Sequence, residues 1–263
     1  MDVTEVAADL QAEQADLDAL CASLSEEQWE LPTPSPRWAV RDQIGHLAFF
    51  DDAAAVAITD ESGFAALKQD LFSAFGDDEA VDAKTLARYR ALSATDLLAA
   101  WRADRARLAD AAATLANDTR VDWFGPSMGS KSFLTARLME VWAHGQDVAD
   151  TVGATRAPSD RLRHIAQLGF ITRGWSYINR GLEAPESPLQ VVLDAPSGDR
   201  WTFGPDDAHE RIAGDAEDFC LVVTQRRHVD DTSLQVDGAD ARSWMEIAQA
   251  FAGVATDGPA ARS

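Results

Sequence analysis

A carboxylate and an imidazole lie one helical turn apart in the segment Thr135–Asp147. The segment contains no proline and is rich in residues that favour helix. Residues four positions apart share one face of a helix, so Glu140 and His144 project side by side. Such a pair can bind one cation, and zinc is the usual ion for nitrogen and oxygen ligands of this kind. A solvated helical stripe would have the same spacing, so a metal site needs a third ligand from elsewhere in the chain.

His46 is the candidate for that third ligand. It lies one turn after Asp42 on a helix expected to begin near Val40, and Phe49 and Phe50 follow it. A histidine beside apolar residues is more often a core residue than a metal ligand. Asp42 could supply the orienting hydrogen bond that ligand histidines usually have. It would serve equally well as a negative charge in the first turn, so the residues alone leave both alternatives open.

Two separated segments carry a resemblance to a known family. The segment Trp38–Leu47, WAVRDQIGHL, resembles the second-helix motif of the DinB/YfiT-like metalloproteins, and Arg137–Asp147, RLMEVWAHGQD, resembles their other metal motif. The similarity is greatest to the branch of the mycothiol-dependent maleylpyruvate isomerases. It implies that His46, Glu140 and His144 are the metal ligands and leaves Asp42 as the residue that would orient His46. The chain departs from the motif at Ala39, where members commonly have a capping serine or threonine; the missing cap should cost about 0.5–2 kcal/mol of local stability.

The ligand set determines the expected chemistry. Three protein ligands leave one tetrahedral position open, as in catalytic zinc sites. An open site of this kind can bind a thiol and lower its pKa, so that a thiolate exists at neutral pH. In the resembling enzymes the thiol is a low-molecular-weight cofactor such as mycothiol, and its sulfur attacks an electrophilic small molecule. The resemblance therefore implies a thiol S-transferase or a thiol-dependent isomerase that uses zinc, or alternatively nickel or iron.

An acidic acceptor would need a positive group in a protein whose formal net charge is −21. Arg226 and Arg227 follow a predicted C-terminal helix and are candidates for binding a carboxylate across a cleft between domains. Basic residues at a helix end also suit the dipole, which is an equally good interpretation. Arg137 could bind the acceptor from one turn before Glu140, or pair with a neighbouring acid. The remaining histidines lack carboxylates at matching spacing and are expected on the surface or in the core: His164, His209 and His228.

Two rival functions share parts of this pattern. A metal- or thiol-binding protein without catalysis, such as a sensor, a store or an accessory partner, would have the same ligand set. In a metal-free helical interaction module, the same three residues would not bind a metal. Trp123, Phe124 and Trp142 could line a substrate pocket, although aromatic residues at such positions usually belong to the core.

The excess of acidic residues limits the classes of partner that the chain is expected to bind. With 23 basic and 44 acidic residues, the chain repels phosphate backbones and anionic lipid, so we expect neither nucleic acid nor a membrane as partner. The first residues carry no signal-peptide pattern and no apolar run is long enough to span a bilayer. We expect a cytoplasmic monomer or homodimer in which Cys21 and Cys220 are buried thiols.

The fold class follows from the resemblance and from hydrophobic periodicity. The resemblance implies an α+β protein, in which an up-down-down-up four-helix bundle with extra helices, residues 1–185, precedes a small α/β domain similar to sterol-carrier proteins, residues 186–255. The composition changes at Glu183–Pro188, and residues 256–263 are expected to fray. Periodicity predicts long helices over 3–30, 40–58, 93–115, 131–152 and 159–180, shorter helices within 60–92, a hairpin of 189–193 with 200–203, an extended segment over 232–236, and helices over 216–225 and 239–252.

Overall fold

The structure is a computed structural model that describes residues 2–262, and these form two compact units divided between Arg156 and Ala157. The first unit is helical and the second combines helices with a small sheet. The α+β class expected from the sequence, a helical domain followed by a small α/β domain, is therefore confirmed.

Seven helices make up most of the first unit, together with a short β1–β2 ladder that joins Arg120–Val121 to Met128–Gly129. The helices are α1 (Val3–Ala22), α2 (Glu26–Trp29), α3 (Val40–Thr59), α4 (Glu61–Phe72), α5 (Asp78–Arg90), α6 (Ala94–Ala112) and α7 (Ser130–Val152).

Four of these helices form the bundle. Helix α3 packs on α6 and α7, and α1 packs on the same two helices, so each long helix has two neighbours in the ring. Their apolar faces meet in a core of fully buried side chains. Large members of that core are Leu17, Ile44, Leu47, Leu97, Trp101, Phe133 and Leu134. The core fixes the relative position of α3 and α7, the two helices that carry the candidate metal ligands.

The helix boundaries agree with the local signals at most ends. Ser93 caps α6 as predicted, because its hydroxyl oxygen accepts the backbone N–H of Asp96. At the start of α3, where Ala39 has no capping side chain, the carboxylate of Asp42 accepts the N–H of Ala39 at 3.0 Å. The helix predicted over 3–30 is interrupted after Ala22, and a second short helix begins behind a new cap.

The second unit contains α8 (Leu162–Ile171), α9 (Arg173–Ile178), α10 (Ala216–Val223), α11 (Ala239–Ile247), and strands β3 (Leu189–Asp194), β4 (Arg200–Phe203), β5 (Glu210–Asp215) and β6 (Gln235–Asp237). The four strands form one sheet in the order β4-β3-β5-β6. β3 and β4 are the predicted hairpin, β5 runs parallel to β3, and β6 is antiparallel to β5.

Two features of this unit differ from the sequence-based expectation. The single helix predicted over 159–180 is two helices that meet at Thr172, whose hydroxyl lies within hydrogen-bond distance of the carbonyls of Leu168 and Gly169. Both helices belong to the second unit, since α8 packs on α10 and β4 and α9 packs on α11. The division between the units therefore precedes α8, whereas the sequence places it near residue 185, after α9.

Candidate metal centre

Three potential ligand atoms converge where α3 passes α7. Nε2 of His46 and Nε2 of His144 each lie 3.2 Å from Oε2 of Glu140. The three atoms lie within 4.8 Å of one another, and the two imidazole centroids are 4.4 Å apart. Helical spacing brings Glu140 and His144 together, whereas His46 arrives through the packing of α3 on α7.

The separations suit a tetrahedral ion. Zinc–ligand bonds of about 2.0–2.2 Å at tetrahedral angles hold neighbouring ligand atoms about 3.3–3.6 Å apart. Each imidazole nitrogen lies at nearly that distance from the carboxylate oxygen. All three side chains are partly exposed, Glu140 by 24%. A small molecule could therefore reach the site from solvent.

The electrostatics of the three groups favour a bound cation. Burial and, to a lesser extent, the neighbouring His144 together lower the pKa of His46 to about 4, so the His46 imidazole is neutral at pH 7. Burial alone would raise the pKa of Glu140. While a proton lies between this oxygen and the imidazole nitrogens, hydrogen bonds with His144 and His46 outweigh that effect and hold the pKa of this carboxyl well below its ordinary range. A bound cation would take the place of that proton. The site thus presents a carboxylate and uncharged nitrogen, the protonation states that metal binding requires.

Gln43 determines which nitrogen of His144 is available. Its amide N–H groups donate to the hydroxyls of Thr33 at 2.8 Å and Ser35 at 3.0 Å. Its oxygen therefore faces Nδ1 of His144, 2.6 Å away, and accepts that N–H. A neutral His144 then carries its lone pair on Nε2, directed at the carboxylate oxygen of Glu140. Two acceptor atoms in contact need a proton or a cation between them. The contact of His144 Nε2 with Glu140 Oε2 is therefore the observation that best fits a metal site.

Aromatic rings border the ligand atoms. The ring of Trp38 lies 5.0 Å from that of His46 and 6.0 Å from that of His144, and the Phe50 ring lies 4.6 Å from His46. Trp38 is held by its indole N–H, which donates to Asp82 at 3.2 Å. These rings limit the access of water to the imidazoles.

Among the described residues, the carboxylate of Asp42 makes its hydrogen bonds with residues other than His46. One of its oxygens accepts the N–H of Ala39, and the other accepts Nε of Arg90 at 2.7 Å. With Arg90 and Asp82 it lines a polar cavity of about 620 Å³. The orienting role that the sequence suggests for Asp42 therefore has no contact to support it, because helix capping and an ion pair use both carboxylate oxygens.

Arg137 lies inside the bundle, with 3% of its surface exposed. Its guanidinium approaches the fully buried Asp51 at 3.4 Å and lies 5.8 Å from the Phe50 ring centre. The alternative left open by the sequence, a pair with a neighbouring acid, is what the structure contains. Burial of this side chain leaves a substrate carboxylate little access to it from solvent.

The other candidate arginines belong to the second unit. Arg226 and Arg227 follow α10, and each donates to a nearby backbone carbonyl, of Thr224 and Arg226 respectively. Their suggested role in binding a carboxylate stays a prediction. The remaining histidines are buried, exposed and partly exposed respectively: His164, His209 and His228.

The sequence reasoning missed Gln43 as a residue of the candidate site. Gln43 precedes His46 by three positions and so lies on the same face of α3, which is the signal that could have identified it. Its contact with His144 depends on the approach of α7, and no local pattern predicts that approach.

Comparisons with known proteins show which family this chain belongs to. The family model of the mycothiol maleylpyruvate isomerase N-terminal domain matches residues 10–149, the range that contains all three potential ligands. Uncharacterized proteins from two strains of Mycobacterium tuberculosis are 46% identical over 249 residues, which cover 94% of this chain and 95% of the relative.

Solved structures with the same fold include mycothiol-dependent maleylpyruvate isomerase. A histidine-to-alanine mutant of that enzyme superposes with a TM-score of 0.58 at 17% identity, covering 89% of this chain and 93% of the other. A second structure of mycothiol-dependent maleylpyruvate isomerase gives a TM-score of 0.56 at 18% identity, covering 86% of this chain and 90% of the other. At these identities the likeness establishes the fold. Among residues 2–262, no helix has the length and apolar character needed to cross a bilayer.

Proposed function

This chain belongs to the family of the mycothiol maleylpyruvate isomerase N-terminal domain, and from that premise we propose that it is a metal-dependent enzyme of thiol chemistry. It activates a low-molecular-weight thiol, mycothiol in the first instance, for attack on an electrophilic small molecule. The reaction is an S-transfer where the adduct is released and an isomerisation where the thiol leaves again.

The observation that carries the proposal is the convergence of His46, Glu140 and His144 with their acceptor atoms facing one another. These side chains would hold a divalent ion, with zinc favoured by two nitrogen ligands and one oxygen ligand. Nickel and iron are the alternatives. A bound ion of this kind supplies Lewis acidity, which lowers the pKa of a thiol in the remaining position.

The chain's own residues prepare the site for this role. Gln43 holds His144 in the tautomer that leaves Nε2 free, so no reorientation is needed on binding. Glu140 stays anionic at neutral pH because its pKa lies well below the ordinary value. Trp38 and Phe50 flank the imidazole of His46. Their rings would limit the access of bulk water to a thiol bound beside it.

Metal analysis tests the site first. Protein purified without chelator should contain about one divalent ion per chain, and His144→Ala and Glu140→Gln should lose it. His209→Ala is the matched control, because His209 is an exposed histidine of the second unit. Equal and negligible metal in the unaltered protein and in His144→Ala would remove the site and the proposed chemistry with it.

Thiol binding and turnover test the chemistry. The protein loaded with Co²⁺ should change its visible absorption when mycothiol is added, and the change should disappear after chelation. Turnover of monochlorobimane with mycothiol, bacillithiol and glutathione would identify the thiol. Metal and thiol binding without turnover of any electrophile would point instead to a non-catalytic sensor, store or accessory protein.

A further inference from the structure

A row of aromatic rings leads away from the candidate metal centre within the helical unit. The ring of Phe50 lies 4.6 Å from His46, and the Phe124 ring lies 5.6 Å from Phe50. The row continues to Phe72, 6.4 Å from Phe124, and from there to Phe75 at 4.7 Å. Each step is within the range of direct ring contact. We call these four phenylalanines the aromatic row.

The row becomes more exposed with distance from the imidazoles. Phe50 and Phe124 are half-buried, Phe72 is 39% exposed and Phe75 is 60% exposed. Behind the row, Trp123 stacks on the fully buried Phe64 with ring centres 5.6 Å apart, so the row rests on a packed base. Exposed aromatic side chains that adjoin one another mark interaction surfaces more often than isolated ones do.

The charges around the row determine what it can bind. Two cations approach its rings, and both are already paired. Arg137 lies against Phe50 but is buried with Asp51, and Lys68, 6.0 Å from the Phe72 ring, forms an ion pair with Asp122 at 3.2 Å. A ligand carboxylate beside Lys68 would have to share that cation with Asp122, and one that reached Arg137 would have to enter the core that encloses it.

From this geometry we propose that the aromatic row binds the body of the acceptor substrate, and that this body is uncharged, apolar and extended. The inference rests on the proposed function, since it takes the electrophilic end of the acceptor to lie at the metal centre. Continuity of Phe50 with His46 places the head of such a molecule beside the centre and its tail toward Phe75. The row therefore selects for apolar length, and a short dicarboxylate gains nothing from it.

Unreactive ligands test this surface without turnover. Binding of butan-1-ol, hexan-1-ol, octan-1-ol and octanedioate to the full chain is measured by calorimetry, with and without bound zinc. Affinity should rise about tenfold or more from butan-1-ol to octan-1-ol, because each buried methylene adds to the binding free energy. The rise should persist without zinc, and octanedioate should bind more weakly than octan-1-ol.

Two variants locate the binding. Phe72→Ser combined with Phe75→Ser should weaken octan-1-ol about tenfold, whereas Phe75→Leu, which keeps an apolar side chain, should retain most of the affinity. Affinity independent of chain length, or equal in the unaltered and double-serine proteins, would overturn the assignment. If octan-1-ol bound as expected but no thiol were turned over, the aromatic row would still be a binding surface and the proposed thiol chemistry would be wrong. Thiol turnover without dependence on chain length would uphold the function and remove the row.

Discussion

The side-chain oxygen of Gln43 lies 2.6 Å from Nδ1 of His144 and links the candidate metal centre to the loop before α3. That loop contains three prolines, Pro32, Pro34 and Pro36, which restrict its backbone. Between them, Thr33 and Ser35 accept the two amide N–H groups of Gln43. The orientation of His144 thus depends on a proline-restricted segment that supplies none of the three candidate ligands.

Replacing Gln43 with leucine should lower the affinity for zinc about 10–100-fold, the usual cost of losing a residue that orients a ligand. The imidazole of His144 would then be free to rotate or to change tautomer. Competition against a chromogenic chelator measures the affinity directly. Gln43→Glu keeps an acceptor for Nδ1 and should bind zinc more tightly than Gln43→Leu.

Gln11→Leu provides the control for this measurement, because Gln11 is an exposed glutamine on α1. Its zinc affinity should equal that of the unaltered protein. If Gln43→Leu also bound zinc with unaltered affinity, the hydrogen bond to Nδ1 would have no part in preparing the site.

Arg137→Met should destabilise the protein by about 3–5 kcal/mol, because it removes one partner of a buried ion pair. Asp51 is fully buried and would keep only the hydrogen bonds from Gln14 and Trp101. Urea unfolding followed by circular dichroism measures the loss. The double variant Arg137→Met with Asp51→Leu should recover part of it, since no unpaired charge then stays in the core.

The opposite result would identify Arg137 as a substrate residue. In that case Arg137→Met would leave the free energy of unfolding nearly unchanged and raise KM for the acceptor. The structure favours the loss of stability, because only 4% of the side-chain surface of Arg137 is exposed.

Local spacing was enough to place Glu140 beside His144, since residues four apart on a helix are always neighbours. Long-range packing brings His46 to the pair, and only the resemblance of two separated motifs predicted that approach. The same limit explains Gln43, whose partner lies on another helix. Asp42 shows the same limit, because its spacing along α3 left two roles open and did not indicate that Ala39 and Arg90 would be the partners of its oxygens.

Secondary structure was predictable where the local sequence carried one strong signal, such as apolar periodicity or turn residues. The long helices α3 and α7 agree closely with their apolar periodicity, and the β3–β4 hairpin agrees with its turn residues. Strand β5 escaped prediction because Glu210–Asp215 has one large apolar residue, Ile212, and is a strand only through pairing with β3 and β6. The predicted fifth long helix is divided at Thr172, because α8 packs on α10 and α9 packs on α11, and periodicity along the chain does not contain these contacts.

Neither cysteine should react with a thiol reagent in the folded protein. Burial raises the pKa of Cys21 to about 12, and burial also raises that of Cys220 well above its ordinary value. Both thiols are protonated at pH 8 and at most 1% of either residue is exposed. Titration with Ellman's reagent should detect neither thiol before unfolding and both in denaturant. Rapid labelling of one thiol in the native protein would contradict the buried placement of that residue.

The ion pairs of Asp18 should make stability fall in acid. Asp18 lies on α1 and receives two hydrogen bonds from Arg102 on α6, at 2.8 and 2.6 Å, while Arg105 approaches at 2.5 Å. The hydrogen bonding from Arg102 lowers the pKa of Asp18 despite burial, and the charges of both arginines add to the effect. A carboxyl with a depressed folded-state pKa stabilises the protein above its unfolded pKa of about 3.9, and that stability is lost as the pH falls through the folded pKa.

Asp18→Asn should therefore cost about 1–3 kcal/mol at pH 7, the range for hydrogen bonds to a charged group. The difference from the unaltered protein should shrink as the pH falls below 4, because both proteins then carry a neutral side chain at this position. Urea unfolding at a series of pH values measures that difference. Asp110→Asn is the control, since Asp110 is an exposed carboxylate on α6 with no ion pair among the described residues, and its effect should stay near zero throughout. A cost for Asp18→Asn that is the same at pH 3 and pH 7 would mean that side-chain packing, and not the carboxylate charge, joins α1 to α6 here.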